Sequence, residues 1–198
     1  MPAMPPATET ATPIELERRL VEQAKTGDRV AARRFIRRFQ RPVAAILRRM
    51  LRPSGLDHLT DDLAQETFVR AFAALPRFEV DGPAKVSTWL LTIATRLALQ
   101  QLQRRRVPTE TLADRHETIA APEAADADVR RAALGRAIER AVGELPAPHR
   151  AAFLLREYHH LDYTEIAETL EVDLGTVKSR LSRARVALRA ALAEERHD

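Results

Sequence analysis

Residues Leu161 to Arg185 read LDYTEIAETLEVDLGTVKSRLSRAR, and they constrain the fold more tightly than any other part of the chain. Asp162 followed three residues later by Glu165 is an acidic form of the capping box, which marks a helix start. Ile166, Ala167 and Leu170 give that helix an apolar face, and the small Ala167 lets a second helix pass close. The segment EVDLG breaks the pattern. Beyond it Val177, Leu181, Ala184 and Leu188 recur at i, i+4, i+7 and i+11, one stripe of an α-helix. The other side carries Thr176, Lys178, Ser179, Arg180, Ser182, Arg183, Arg185 and Arg189, with no carboxylate between Gly175 and Arg189. Two short helices, a tight turn and a basic second helix describe a helix-turn-helix. Thr176, Lys178, Ser179 and Ser182 would reach base edges in a major groove, and the later arginines suit phosphates. A helical hairpin with a solvated basic face satisfies the same periodicity.

The 198 residues suffice for one ordinary domain or two small ones. A hydrophobic content of 45% supports helical cores, whereas 5% aromatic residues and 6 Gly argue against a rich β fold. The formal net charge is +4, and all of the 32 basic residues except Lys25, Lys85 and Lys178 are Arg, the side chain suited to bidentate phosphate contacts. The absence of cysteine excludes disulfides, thiolate metal sites and cysteine catalysis. No run of about 18 apolar residues and no secretory h-region occurs, so the expectation is a cytoplasmic protein without a membrane segment. The opening MPAMPPATETATP, residues 1–13, reads as a disordered tail.

Residues 14–25 form a first amphipathic helix, and Thr26-Gly27-Asp28 is a stop followed by a new cap. From Arg29 to Arg52 nine arginines and no acid interleave with Phe35, Ile36, Phe39, Val43, Ile46, Leu47, Met50 and Leu51. Pro42 is expected to divide this stretch into two core helices with a solvated Arg face. In residues 57–75, Ala64, Phe68, Ala71, Phe72 and Leu75 share the core face. Asp62, Glu66, Val69 and Ala73 lie opposite, with Arg70 at the edge. PRFEVDGP is a loop, and Ser87 caps the next helix. There Leu90, Ile93, Ala94, Leu97 and Gln101 fall on one side; Trp89, Thr92, Arg96, Gln100 and Gln103 fall on the other. No acid occurs between Asp81 and Glu110, while Lys85, Arg96, Arg104, Arg105 and Arg106 add positive charge. An aromatic, amides, a hydroxyl and Arg without carboxylates suit splayed single-stranded bases and phosphates. Residue type alone favours a place for Trp89 in the core or at its boundary.

Residues 107–130 change character, with Pro108, Pro122 and six acids, and read as a flexible acidic linker. A further amphipathic helix carries Leu134, Ile138, Ala141 and Val142, and Pro148 opens the helix that leads into the helix-turn-helix. The fold expected is all-α, in two small helical domains over residues 14–106 and 131–196. The six histidines are scattered, and no motif for a metal, cofactor or catalytic site appears.

EIAETLEVDLGTVKSRLSRAR is similar, almost residue for residue, to the C-terminal helix-turn-helix of the extracytoplasmic-function sigma factors, bacterial initiation factors. That resemblance implies −35 promoter contacts at Thr176, Lys178, Ser179, Arg180, Ser182 and Arg183. Glu171 stands where the family usually has a turn Gly, and a left-handed residue there costs roughly 1 kcal/mol more than Gly. DDLAQETFVRAF resembles the sigma region 2 helix that docks on the clamp of RNA polymerase, which implies Asp62, Gln65, Glu66, Val69 and Arg70 as polymerase contacts. KVSTWLLTIATRLALQQLQRRRV resembles the family's WL-x-x-IA helix, which opens and reads the −10 element. Trp89, Thr92, Arg96, Gln100, Gln103 and Arg104 are the residues that this implies. Val86, Arg96 and Gln100 replace a frequent Phe, a usual Asn and a common Asp, and Arg96 there favours phosphate contact over base reading. Core RNA polymerase, promoter DNA and an anti-sigma factor are the partners the resemblance implies, with no enzymatic role of its own. A stand-alone helix-turn-helix regulator binding duplex DNA without polymerase is the alternative. It leaves the Trp89 stripe and the Asp62–Glu66 face unexplained.

Overall fold

In the computed structural model, which describes residues 13–82, 84–106 and 126–194, eight α-helices follow one another, and no strand occurs among the described residues. They are α1 (Pro13–Lys25), α2 (Arg29–Leu51), α3 (Thr60–Ala74), α4 (Val86–Arg106), α5 (Asp126–Glu144), α6 (Ala147–Glu157), α7 (Tyr163–Leu170) and α8 (Leu174–Glu194). The first four make one bundle and the last four another, as the sequence led us to expect. The expected tail lies outside the described residues except for Pro13, which already belongs to α1. Most of the expected linker also lies outside them, but α5 begins at Asp126, inside that span.

The first bundle is built around α2. Asp28 caps it, its carboxylate accepting from the Val30 and Ala31 N–H groups. Phe35 is fully buried, with ring centroids 4.9 Å from Phe39, 6.5 Å from Phe68 and 5.5 Å from Phe72, so one side chain joins α2 to α3. Pro42 does not divide this helix. It sits inside a continuous α2. Its missing N–H costs one backbone bond, while buried Phe39, Val43, Ile46 and Leu47 on either side hold both halves against the core.

Short 3₁₀ turns at Asp57–Leu59 and Leu75–Arg77 bracket α3, which buries Phe68 and Ala71 as its periodicity indicated, with Leu75 buried at the start of the turn that follows. Ser87 is not a cap: α4 starts one residue earlier, and the Trp89 N–H bonds to the Lys85 carbonyl. Leu134 on α5 is exposed instead of buried, because Ala137, Ala141 and Val142 take the inward positions. The Asp162–Glu165 capping box is present, each side chain bonded to the other's backbone N–H at 2.8 Å.

The two bundles pack against each other. Helix α7 lies on α4, and α6 lies against α2 and α4. Arg49 of α2 stacks 4.3 Å over the Tyr158 ring and pairs with Glu139 of α5 at 3.0 Å. His159 beside them is held down to about 4 by burial, with Arg49 and His160 disfavouring its cation.

Two outcomes follow from this packing. Phe35→Ala should lower unfolding free energy by about 3–5 kcal/mol, read from urea melts. Because His159 titrates lower in the folded chain than its ordinary 6.5, the unfolded chain binds more protons between those values. Stability should therefore fall as pH drops from about 6.5 towards 4. His159→Gln should flatten that part of the curve, and an unchanged slope in the variant would rule the histidine out as its source.

Candidate nucleic-acid and polymerase interfaces

The residues singled out in the sequence lie on three surfaces. On the outer side of α3, Asp62, Gln65, Val69 and Arg70 are exposed and Glu66 is half-buried. Val69 is 64% exposed although the opposite side of the same helix is sealed in the core. Glu66 pairs with Arg70 at 2.7 Å, one helical turn on. Such a pair on a wet surface contributes about 0.3–0.5 kcal/mol, so either partner is readily given up to a third group.

On α4 the expected open stripe is divided. Trp89 stacks on Phe78 with ring centroids 4.9 Å apart, beside an open cleft of about 340 Å³ that also includes Arg77 and Glu79. Thr92 and Arg96 face α7. The Thr92 and Thr169 hydroxyls are 2.8 Å apart, and Arg96 donates to the Thr169 and Glu168 carbonyls at 3.0 and 2.7 Å. Gln100, Gln103 and Arg104, farther along, remain exposed. The stripe therefore lies along one helix, but its middle is covered by the second bundle.

On α8 the basic face is presented outward. Lys178, Ser182 and Arg183 are exposed, while Thr176, Ser179 and Arg180 are half-buried. The start of this helix is fixed by Asp173, a group the sequence reading passed over. Its carboxylate accepts from the Thr176 N–H at 2.8 Å and from the Thr176 hydroxyl at 2.6 Å, and those bonds hold it below the usual carboxylate range. Thr176 is thus committed to the cap. The signal was available as an Asp three residues before a Thr, directly ahead of the apolar stripe. Arg185 is also engaged, pairing with Glu157 of α6 at 3.0 Å, which raises its pKa. His149 on α6 is pushed down by burial and by the nearby cations Arg183 and Arg180.

Glu171 ends α7 in the left-handed region at φ 53°, and His160, another non-glycine residue of that kind, lies in the preceding turn at φ 57°. Arg150 is buried and donates to the carbonyls of Met50 and Leu145 at 2.7 and 2.9 Å. Burial holds its pKa down to about 10. Neither Arg150 nor Phe78 was singled out by motif or periodicity.

Comparison with known proteins accounts for both bundles. The family model for Sigma-70 region 2 matches residues 35–107, and that for Sigma-70 region 4 matches residues 135–188. The ECF RNA polymerase sigma factor SigW of Bacillus subtilis is 30% identical over 181 residues, covering 87% of this chain and 94% of its own. The chain belongs to the extracytoplasmic-function sigma factors. The ECF sigma factor SigE of Mycolicibacterium smegmatis is 36% identical over 174 residues, 85% of this chain, which spans 65% of that longer relative. Among solved structures, CnrH in complex with the cytosolic domain of CnrY is similar at TM-score 0.62 and 25% identity, over 89% of this sigma factor and 97% of that chain. RpoE in complex with the anti-sigma factor NepR, from Bartonella quintana, shares the fold at TM-score 0.58 and 23% identity, over 81% and 96% of the two chains. No helix among the described residues is long and apolar enough to cross a membrane.

The Asp173 cap is open to a direct test. Asp173→Ala should lower the melting temperature and loosen the first turn of α8, whereas Asp173→Asn, an equally good cap, should retain most of both. Equal melting of the Ala and Asn variants would show that the cap contributes nothing.

Proposed function

We propose that this sigma factor binds core RNA polymerase and directs it to specific promoters. Residues 14–106 would engage polymerase and the −10 element, and residues 131–196 the −35 element. The observation that carries this reading is the outer face of α3. A helix sealed on one side presents Asp62, Gln65, Glu66, Val69 and Arg70 on the other, an apolar centre with charged groups around it. Thr176, Lys178, Ser179, Arg180, Ser182 and Arg183 then address the −35 major groove, with Lys178 and Arg183 the most exposed cations. The Thr176 hydroxyl acts there chiefly by holding the helix start. Trp89, Thr92, Arg96, Gln100, Gln103 and Arg104 serve the −10 single strand.

The polymerase performs the chemistry, and this chain supplies address and strand opening. It works where polymerase is, in the cytoplasm. An anti-sigma factor is the natural regulator, since the solved relative from Bartonella quintana is a complex with one. A stand-alone regulator is not favoured, because region 2 and region 4 both match in their usual order.

Glu66→Lys should reduce co-purification with core RNA polymerase by about tenfold or more, since it reverses a charge beside the apolar centre of the face. Its circular dichroism and melting should stay close to wild type. Undiminished polymerase binding by a folded Glu66→Lys protein would contradict the assignment of this face.

A further inference from the structure

The two bundles hold one another by an exchange of arginines. Arg96 leaves α4 and places its guanidinium at the end of α7, where Nε donates to the Thr169 carbonyl and Nη2 to the Glu168 carbonyl. Its Nη1 pairs with Glu171 Oε1 at 2.9 Å. Arg150 of the second bundle does the converse, donating from Nη1 to the Met50 carbonyl in the last turn of α2. In each case a cation meets carbonyls in the last turn of a helix, the end that carries partial negative charge. Also on α4, Thr88 donates to Glu165 at 3.1 Å and Thr92 meets Thr169. Thr88, Thr92 and Arg96, spaced by four, make one continuous stripe of α4 against α7.

Glu171 adds an independent observation. It occupies a left-handed position at a helix end, where Gly is the least costly residue. No local turn contact of its side chain accounts for that choice. The group it meets is Arg96, 75 positions away in the sequence, as 171 less 96. The pair thus joins the end of α7 in one bundle to α4 in the other.

We propose that this exchange is a latch. It holds the free protein closed, with Thr92 and Arg96 turned to the −35 bundle and withheld from single-stranded DNA. The masking of DNA rests on the −10 reading of α4; the latch itself does not. The Thr92 and Arg96 contacts with α7 are hydrogen bonds from a hydroxyl and a guanidinium that is 46% exposed, which water can replace, while one buried apolar core runs on through both bundles, so opening also exposes apolar surface. A backbone phosphate offers Arg96 the same kind of acceptor as the α7 carbonyls, with a full charge in place of a partial one. DNA and α7 are therefore direct competitors for one side chain.

The chain contains no cysteine, which makes the latch measurable by cross-linking in the full-length protein. The Thr92 and Thr169 hydroxyls are 2.8 Å apart, so a Thr92→Cys/Thr169→Cys pair lies within reach of a disulfide. Under mild oxidation the pair should close within the molecule several-fold faster than in the urea-unfolded chain. Adding Arg96→Ala should slow that closure several-fold, with circular dichroism unchanged. Core polymerase charged with the oxidised double variant should give several-fold less transcript from genomic fragments than with the same variant reduced. Cross-linking no faster than in the unfolded chain, or indifferent to Arg96→Ala, would overturn the latch. An oxidised protein as active as its reduced form would overturn the masking of DNA. If the wild-type protein also gives no transcript while cross-linking behaves as expected, it is the sigma reading that fails and the latch that stands.

Discussion

Helix α4 is enclosed on two sides, and the arrangement of both bundles depends on it. Leu90, Ala94, Ala98 and Thr95 are almost wholly removed from solvent, and Leu91, Leu97 and Leu102 nearly so. Burying a leucine side chain contributes about 1.5–3 kcal/mol, so these contacts fix the helix in place. The stripe on α7 works by different physics. Its ion pair is exposed, 46% and 72% at the two side chains, and such pairs contribute roughly 0–1 kcal/mol. Hydrogen bonds from a charged donor are worth somewhat more, on the order of 1.5–3 kcal/mol. Apolar burial sets the shape of each bundle. Polar contacts that water can replace run along the seam between α4 and α7, beside a buried apolar core that continues from one bundle into the other.

The same division describes what could be read from the sequence. Periodicity located the buried faces of α2, α3 and α8, since it reports directly on which side meets a core. Local polar chemistry placed the caps at Asp28 and Asp162. Pro42 misled because helix propensity is a local quantity, about 3 kcal/mol against, and four large buried neighbours outweigh it. Leu134 misled for a related reason: the pattern cannot say which of several apolar residues wins the inward position when Ala137 and Ala141 allow a closer approach.

The candidate interfaces divide in the same way. The outer face of α3 and the basic face of α8 were legible, because each is a whole helical side with one chemical character. The fate of Thr92 and Arg96 was not. Their partners, Thr169 and Glu171, lie more than 70 residues on, and a guanidinium seeking carbonyl oxygens leaves no trace in a hydropathy pattern. Arg150 was hidden likewise: a buried cation bonded only to main-chain oxygens has no side-chain partner to betray it. Resemblance to the family drew attention to Arg96 and Glu171 one at a time, and only the structure brings the two side chains together.

The property on which all the others depend is that this chain gives polymerase an address. The most direct measurement is run-off transcription from genomic fragments, with purified core RNA polymerase alone and with the full-length protein added. The result expected is a small set of start sites that appear only with the protein, sharing two sequence elements at a constant spacing upstream. Tight binding to duplex DNA with no polymerase association and no new transcript would contradict it, leaving a helix-turn-helix regulator in its place.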